Sequence, residues 1–322
     1  MSTARLCAPA YELGEYADPV AELQELQDDP RAAAELTAPA AGFHTYRWSD
    51  ADVTELMTAS VQRTLAEAQV PGADVDMVLL ATDSLPHDRS AHRDVAQLLA
   101  EAGLARATVL TTGLMDCATA MASLGTAAAL VGNGAARHVL VVSGDLADRA
   151  TGGLRIVAGG AAIASDAAAS ALVSATAPGL PMLGMAHYSA SELHQDSSPR
   201  QQLMSRIAMH RELFARLAAH HPFRPADVHA VLPSNFARNV LETYLSDVGY
   251  RREQLAVTNV GRIGHCLGSD PLINLADRLA EVKAGGVAEA GEEGRLVLFG
   301  AGVSHLAAVL VGARPLPEGA EK

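Results

Sequence analysis

Three cysteines occur in the 322-residue sequence, and one of them, Cys117, stands where a thiol could act as a nucleophile. It follows a predicted strand that ends near Thr112, and it opens an uncharged run of small residues, 117–136, that is typical of a buried helix. The N-terminus of a helix presents unpaired N–H groups and the positive end of the helix dipole, and both favour a thiolate. A small cysteine packed inside an apolar helix is the alternative interpretation.

A histidine that could act as a base lies in a glycine-rich loop between a predicted strand and a predicted helix. Glycines at positions 261, 264 and 268 permit unusual backbone geometry, which could display His265 in a cleft. Asp270, five residues later, could orient the imidazole ring. Asp270 also precedes Pro271, and Asp before Pro is the ordinary signature of a helix N-cap. The sequence leaves both roles of Asp270 open.

The segment Gly300-Ala301-Gly302 follows a predicted strand and superficially resembles the start of a dinucleotide-binding fingerprint. The third glycine of that fingerprint is missing and a strand follows, so we expect no nucleotide cofactor there. We expect the backbone N–H groups of Cys117 and of the Ala301–Gly302 turn to stabilise an oxyanion instead. Cys266 lies beside His265, but no second Cys or His stands at ligand spacing, so no metal site is predicted.

The composition excludes several classes of protein. Only Lys283 and Lys322 are lysines, and neither lies in the context of a phosphate-binding loop or a pyridoxal-phosphate Schiff base. A net charge of -13 opposes binding to a phosphate backbone, so no nucleic-acid partner is predicted. The run 117–136 has few large aliphatic residues, which favours a core helix over a membrane span. Three cysteines without a signal peptide predict a cytoplasmic protein.

Strand-like runs alternate with helical segments along the chain, which predicts an α/β layered fold. Strands are predicted at residues 76–82, 107–112, 138–143, 167–175, 228–233, 255–259, 295–299 and 305–311, and helices at 201–220, 237–248 and from 270 onward. The repeated order of elements predicts a duplication, with residues 1–178 carrying the nucleophile and residues 179–322 carrying the histidine, the aspartate and the oxyanion turn. Segments 12–40 and 188–200 are interpreted as insertions that cover a site.

Six segments of the sequence, taken in order, resemble the β-ketoacyl-acyl-carrier-protein synthase III group of thiolase-fold ketosynthases. They are GFHTYR at 42–47, MDCATAMASLGTAAALVGNGAARHVLVVSGD at 115–145, SDAAASALVSA at 165–175, VLPSNFARNV at 231–240, TNVGRIGHCLGSDP at 258–271 and LVLFGAGVSHLAAVLV at 296–311. The resemblance implies a thiolase-like fold of duplicated αβαβα layered halves around a buried nucleophile helix. It also implies that Cys117 is the nucleophile, that no cofactor is used, and that the protein is a homodimer.

Two departures from this group bear on the reaction. Condensing members carry a histidine in a P-H-Q-A-N-like segment, where this sequence has Ser234 and Asn235, and an asparagine in an H-G-N-T-like loop, where it has His265. Both family residues bind the thioester carbonyl during decarboxylative condensation. The replacements resemble the acyltransferase branch of the family, found in aromatic polyketide and other antibiotic pathways. The resemblance therefore implies a triad of Cys117, His265 and Asp270, with Ser234 and Asn235 lining the substrate pocket.

The predicted reaction is acyl transfer through a covalent intermediate. Cys117 would attack a thioester held on an acyl carrier protein or on CoA, and His265 would then deprotonate a small-molecule or carrier-bound acceptor. CoA-binding members use a tryptophan before the GFHTYR segment, whereas Trp48 follows it here, which favours a carrier protein. Three alternatives stay open: a decarboxylating ketosynthase III that primes polyketide or fatty-acid synthesis, a catalytically silent ketosynthase partner subunit, and a hydrolase.

Overall fold

The computed structural model describes residues 3–86, 88, 90–194, 198–285 and 294–317. The strands in these ranges are β1 Arg5–Leu13, β2 Tyr16–Pro19, β3 Thr45–Trp48, β4 Met77–Ala81, β5 Thr108–Thr112, β6 His138–Asp145, β7 Ile156–Val157, β8 Ala162–Ile163, β9 Ala167–Ser174, β10 Leu180–Ser189, β11 Val228–Pro233, β12 Arg295–Ala301 and β13 His305–Gly312. All of the predicted strands except one are present, with ends that move by one or two residues.

Helices occupy most of the connections between the strands. The α-helices are α1 Gln24–Asp28, α2 Pro30–Leu36, α3 Val53–Ala68, α4 Ser90–Glu101, α5 Thr119–Gly132, α6 Ala147–Ala150, α7 Pro199–His220, α8 Arg238–Asp247, α9 Thr258–Ile263 and α10 Asp270–Lys283. Short 3-10 helices span Val20–Glu22, Gly72–Asp74, Asp116–Ala118, Ser191–His194, Pro225–Asp227, Arg252–Gln254 and Leu267–Ser269. The predicted alternation of strands and helices is confirmed.

Nine strands form one hydrogen-bonded sheet, and its two halves repeat one strand order. The sheet runs β11-β12-β13-β10-β1-β9-β6-β4-β5. In the first half β5, β4 and β6 are parallel, while β9 and β1 are antiparallel to their neighbours. In the second half β11 and β12 are parallel, while β13 and β10 are antiparallel. Pairing of β1 with β10 joins the halves. The division at residues 178 and 179, between β9 and β10, stays our proposal for the two units.

The predicted strand at 255–259 is wrong. In the second half-sheet this strand would be the counterpart of β5. Only one parallel bridge, between Leu255 and Val231, forms there. The chain then turns into α9, where the Asn259 amide donates to Asn274 and to Asp277. These polar contacts to α10 outweigh the strand preference of the short aliphatic run.

Five layers result because the two half-sheets face each other across a pair of helices. Helix α5 packs against β4, β6 and β9 on one side and against β10, β12 and β13 on the other. Helix α10 likewise contacts β1 and β9 as well as β11 and β12. The outer layers are α3 with α4, and α7 with α8. The molecule therefore has the α/β thiolase-like architecture, with α5 as the buried helix that follows the predicted nucleophile.

Small side chains allow α5 to fit between the two half-sheets. Ala120, Met121, Leu124, Ala127 and Val131 are fully buried. A Cβ atom at Gly125 would collide with the side chain of Met185 on β10. The uncharged run is thus a core helix, as predicted. Within the described residues, no helix has the length and apolar character needed to cross a membrane.

The two polar segments that were interpreted as insertions have different structures. Segment 12–40 contains β2, α1 and α2, and the Glu25 carboxylate accepts hydrogen bonds from the backbone N–H groups of Arg155 and Ile156. Segment 188–200 includes the end of β10, a 3-10 turn and the start of α7, and its residues 195–197 lie outside the described ranges. That these segments cover a site stays a prediction.

Candidate active site

A strained turn presents Cys117 at the entrance to α5. The chain leaves β5, and both Leu114 and Asp116 adopt positive φ angles, of 62° and 48°. Such angles are uncommon for residues with a Cβ atom and mark a turn held by its surroundings. Cys117 lies in the 3-10 turn that this geometry starts, just before α5.

The β12–β13 hairpin holds the nucleophile turn by approaching it closely. A Cβ atom at Gly300 would lie 2.8 Å from the carbonyl oxygen of Cys117, and one at Gly302 would collide with the side chain of Asp116. Asp116 Oδ2 accepts a hydrogen bond of 3.1 Å from the Ser304 N–H. The two glycines are therefore needed for close packing of the hairpin against Cys117.

Cys117, His265 and Asp270 form a continuous hydrogen-bonded line. The Cys117 Sγ atom lies 3.1 Å from Nε2 of His265, and Nδ1 of His265 lies 2.5 Å from Oδ2 of Asp270. Because a carboxylate can only accept, Nδ1 carries the proton that it donates to Asp270, and Nε2 is left to accept the thiol proton. This is the arrangement of a nucleophile, a base and a residue that orients the base.

The Asp270 carboxylate is buried, and both of its oxygens accept hydrogen bonds, although it does not cap the helix. Ser269 is the N-cap position and Asp270 is the first residue of α10, so the N-cap alternative is wrong. Besides His265, the carboxylate accepts hydrogen bonds from the backbone N–H groups of Cys266 and Asn235 and from the Asn235 side-chain amide, at 2.6–2.9 Å. These donors fix the carboxylate and thereby the imidazole ring.

The backbone around His265 is held by the neighbouring strand β8. Gly264 has φ +69°, and a Cβ atom there would lie 2.8 Å from Ser165 Oγ. The His265 N–H donates to the Ile163 carbonyl, and the Ser165 N–H donates to the His265 carbonyl, each at 2.8 Å. Phe236 packs edge-on against the imidazole, with ring centroids 5.1 Å apart. The glycine-rich loop therefore places a completely buried histidine against a half-buried thiol.

Electrostatics couple the thiol and the imidazole. Burial raises the pKa of Cys117, and the neighbouring His265 opposes that rise. Burial by itself would lower the pKa of His265, but the negative charges of the Cys117 thiolate and of Asp270 raise it to about 10. The imidazole is therefore a strong acceptor for the thiol proton of Cys117.

Two of the three predicted oxyanion donors, the N–H groups of Ala301 and Gly302, already donate hydrogen bonds within the protein. No hydrogen bond from the Cys117 N–H is found among the described residues, so this group is available to an oxyanion. The Ala301 N–H donates to Ser234 Oγ at 3.0 Å, and the Gly302 N–H donates to the His305 carbonyl at 2.9 Å. In this structure both turn donors are occupied, because Ser234 reaches the strand end and Gly302 closes the hairpin.

Ser234 and Asn235 lie behind the triad and do not line the cavity beside Cys117. Both are completely buried. The Asn235 amide donates to Asp270 and to the Gly264 carbonyl, and its Oδ1 accepts from the Asn274 side chain at 3.0 Å. The structure therefore makes Asn235 a positioning residue for Asp270. The sequence indicated that Asn235 lies near Cys117 and His265, but not the direction in which its side chain points.

A cavity of about 180 Å³ opens beside the thiol and contains carboxylates that the sequence analysis missed. Its lining combines the triad members Cys117 and His265 with Asp83, Asp116, Asp145, Ala150, Thr151, Val157, Ala158, Leu267, Gly268, Gly302 and Val303. Asp83 and Asp145 follow or end the neighbouring parallel strands β4 and β6. The signal that could have found them is the tendency of carboxyl ends of parallel strands to meet at one edge.

Among the described residues, neither a candidate metal-binding cluster nor a second reactive thiol is found beside Cys117. In the part of the chain that the structure describes, no three His, Cys, Asp or Glu side chains are placed to hold a metal ion. Cys266 is buried, and burial raises its pKa well above the usual range, so this neighbour is a structural thiol. A larger cavity of about 870 Å³, lined in part by Glu67, Arg137 and Lys283, contains no member of the triad.

Replacing His265 by alanine tests its assignment as the base. The change leaves Cys117 without a proton acceptor, so we expect its thiol to react about 10²- to 10⁴-fold more slowly with a small thioester. Mass spectrometry of the intact protein over time measures this rate. Reaction at the wild-type rate would show that His265 is not the base.

Comparison with known proteins supports the fold assignment. No protein-family model matches the sequence, and no curated protein matches it. Among solved structures, 3-oxoacyl-(acyl carrier protein) synthase III, FabH, from Pseudomonas aeruginosa PAO1 superposes with a TM-score of 0.73 at 18% identity, over 97% of this chain and 98% of that chain. A variant of OleA from Xanthomonas campestris gives a TM-score of 0.78 at 15% identity, over 96% and 98% of the chains.

An acyltransferase named ChlB3 superposes with a TM-score of 0.77 at 18% identity, over 98% of this chain and 99% of that chain. Likeness over nearly the full length of all three proteins establishes a ketosynthase III-like thiolase fold. In this fold, hydrogen bonds join the Cys117 thiol, the His265 imidazole and the Asp270 carboxylate in one line.

Proposed function

We propose that this protein is an acyltransferase that moves an acyl group from a carrier-protein or CoA thioester, through an acyl-enzyme on Cys117, to a hydroxyl, amine or carrier thiol. The observation that carries the proposal is the hydrogen-bonded line from Cys117 Sγ through His265 to Asp270. The antibiotic and polyketide setting and the cytoplasmic location rest on the sequence alone and are part of the proposal.

The first half-reaction loads the enzyme. The thiol proton passes from Cys117 Sγ to Nε2 of His265, and the thiolate attacks the thioester carbonyl carbon. The Cys117 N–H donates to the developing oxyanion. When the tetrahedral intermediate collapses, the carbon–sulfur bond to the carrier breaks, and the departing thiolate takes the proton from Nε2. Cys117 is then acylated and His265 is neutral again.

The second half-reaction removes the acyl group from Cys117, again with His265 as the base. An acceptor O–H, N–H or S–H gives its proton to Nε2 of His265 while it attacks the acyl carbonyl. Asp270 stabilises the imidazolium formed at this stage, because its Oδ2 atom lies 2.5 Å from Nδ1. Collapse of the intermediate releases Cys117, which recovers its proton from Nε2.

The cavity beside Cys117 favours transfer over decarboxylative condensation. A condensing enzyme must hold a malonyl carboxylate near the acylated cysteine. Here Asp83, Asp116 and Asp145 line the cavity, and no Lys or Arg is found among its lining residues. Like charges repel strongly in a partly buried site. Together with Ser234 in place of the condensing histidine, this distribution of charge argues against a malonyl substrate.

The experiment that tests the proposal is intact-protein mass spectrometry after exposure to butyryl-S-pantetheine. We expect a mass increase of one acyl group, located by peptide mapping on Cys117 and not on the buried Cys7 or Cys266. Absence of any increase would overturn the proposal and favour a silent partner subunit. Rapid return of the label to water, with no effect of added acceptor, would favour a hydrolase.

We also propose that the protein is a homodimer formed through β5. This strand ends the nine-stranded sheet and has no partner on its outer side among the described residues. Leu110 on β5 is 47% exposed, and Leu114 directly after it is 88% exposed. Unpaired strand edges with exposed aliphatic residues readily pair with a second chain.

Leu110→Asp is expected to weaken the dimer by at least about tenfold, because it removes an apolar contact and places like charges across the two-fold axis. Analytical ultracentrifugation over a range of concentrations checks this. Leu203→Asp, which changes a leucine of similar exposure on α7, is the matched control and should leave the dimer intact. A monomeric wild-type protein would contradict the proposal.

A further inference from the structure

The cavity of about 870 Å³, called the distal cavity here, opens at the opposite end of α10 from the triad. Helix α10 begins at Asp270, and its last turns carry Leu279, Ala280 and Lys283, which line the cavity. At about 1.5 Å of rise per residue, the 14 residues of this helix separate the two places by about 20 Å. The distal cavity therefore lies outside the active site, and its volume falls in the range of about 300–1,000 Å³ that is typical of small-molecule sites.

A strained bulge in β1 forms part of the wall of the distal cavity. The register between β1 and β9 shifts between Cys7 and Ala10, which places Ala8 and Pro9 in the bulge. Ala8 has a φ angle of 46°, in the left-handed region that residues with a Cβ atom rarely adopt. Both Ala8 and Pro9 line the cavity. Bulges and strained residues are concentrated at functional and ligand-binding sites, so this wall is a first indication of a ligand.

A buried histidine without a hydrogen-bond partner for its ring lies in the same wall. His138 begins β6, lines the distal cavity and is 7% exposed. Its Nδ1 atom has no partner among the described residues. Burial lowers the pKa of His138, and the charge of Arg137 lowers it further, against the opposing charges of Asp76 and Asp74, so the imidazole is neutral at pH 7. A neutral imidazole has one N–H to donate, and a buried donor without an acceptor is costly unless a ligand supplies one.

The charged residues of the distal cavity decide which acceptor fits. Arg137, Lys283, Glu67 and Asp74 line it, and all four are exposed. Glu67 Oε1 lies 3.8 Å from Lys283 Nζ, whereas Arg137 forms no ion pair among the described residues. Arg137 therefore attracts an anion to the side of His138, while Glu67 and Asp74 repel a dianion more strongly than a monoanion. A carboxylate fits this balance better than a phosphate.

Positive charge predominates next to the distal cavity. An adjoining cavity of about 530 Å³ shares Leu279 and Lys283 with it. His229, Arg278 and Arg314 also line this second cavity, and no Asp or Glu is found among its described lining residues. The chain as a whole has a net charge of -13, so this end of the molecule is a local exception that favours the approach of an anion.

We propose that the distal cavity binds a small organic monocarboxylate with an apolar body, whose carboxylate accepts hydrogen bonds from the His138 imidazole and the Arg137 guanidinium. The apolar body packs against the aliphatic side chains that line the cavity, which are Leu6, Pro9, Val70, Pro71, Leu180 and Leu279. Binding leaves the ligand chemically unchanged and involves no member of the triad. The inference therefore goes beyond the proposed acyl transfer and does not depend on it.

The test compares octanoate with octanamide, which has nearly the same shape and no charge. We expect the full-length wild-type protein to bind octanoate with a dissociation constant at least about tenfold lower than that for octanamide, because hydrogen bonds to a charged group are the stronger ones. Isothermal titration calorimetry at pH 7 measures both constants. No binding of octanoate, or equal constants for the two compounds, would overturn the inference while leaving the proposed function intact.

Variants locate the bound carboxylate. Arg137→Gln removes an exposed cation, so the dissociation constant of octanoate should rise by about tenfold, with less than about a twofold change for octanamide. His138→Leu removes the buried donor and should weaken octanoate binding in the same direction; if this variant does not fold, Arg137→Gln decides alone. Arg31→Gln, at an exposed arginine on α2, is the matched control and should leave both constants unchanged. Octanoate binding that neither cavity variant weakens would lie elsewhere in the protein and would overturn the inference.

Discussion

Replacing Cys117 by alanine is expected to abolish both acyl-enzyme formation and acyl transfer, with a fall in rate of at least about 10⁴-fold. Removing the nucleophile of a catalytic triad costs on the order of 10⁶-fold in a well-studied protease, and only binding and oxyanion stabilisation remain. Cys117 has no substitute in the site, because Cys266, the nearest thiol in sequence, is buried and burial raises its pKa well above the usual range. Mass spectrometry and product analysis on the same sample check both effects.

Cys266→Ala provides the matched control for this variant. It removes a buried thiol next to His265 while keeping the backbone N–H that donates to Asp270. We expect it to be acylated on Cys117 like the wild-type protein. If Cys117→Ala still gained an acyl group while Cys266→Ala did not, the nucleophile would be assigned to the wrong cysteine.

Asp270→Asn is expected to lower acyl transfer by about 10²- to 10⁴-fold, the range for loss of general base catalysis. The amide that replaces the carboxylate has one oxygen acceptor where four donors converge, from His265, Cys266 and twice from Asn235. Nδ1 of His265 loses its negatively charged partner, so the imidazolium that forms during transfer is no longer stabilised. The pKa of His265 should fall below the wild-type value of about 10.

The same substitution is expected to destabilise the fold by about 1–3 kcal/mol, because buried donors are left without acceptors. Asn274→Ala separates the two effects, since Asn274 holds Asn235 from the side away from His265. We expect this control to lower stability with a much smaller loss of transfer. A pH–rate profile for Asp270→Asn that matches the wild-type profile would show that Asp270 acts on stability alone.

The sequence was sufficient to predict the buried helix and the alternating layers, and it singled out Cys117, His265 and Asp270, which hydrogen bonds join in the structure. Their catalytic roles stay a proposal. Cys117 and His265 are 148 positions apart, and the resemblance of their separate segments to one family predicted that they meet. The packing explains the meeting, because α5 and α10 both lie between the two half-sheets and the 3-10 turns that precede them, Asp116–Ala118 and Leu267–Ser269, contact each other. The local sequence patterns and the order of the six family-like segments predicted the same fold.

Side-chain direction is what the sequence could not provide. Asp before Pro indicated an N-cap, yet the Asp270 side chain turns away from its own helix toward donors from the β11 end and the preceding loop. Ser234 and Asn235 were placed in the pocket, although tertiary contacts turn them behind the triad. Asp145 lies just after the predicted strand 138–143, and its position in the sequence does not show that the fold buries its side chain. Spacing along the chain does not determine these directions.

The central claim is that Cys117 carries an acyl group that passes to an acceptor without carbon–carbon bond formation. The most direct measurement is a chase of isolated butyryl-enzyme, divided among ethanolamine, pantetheine and malonyl-S-pantetheine. We predict acylated ethanolamine or pantetheine, formed faster than by the His265→Ala acyl-enzyme, and no carbon dioxide from the malonyl sample. An acyl-enzyme that resists both simple acceptors, but is discharged by malonyl-S-pantetheine with release of carbon dioxide and a β-ketoacyl product, would contradict the claim.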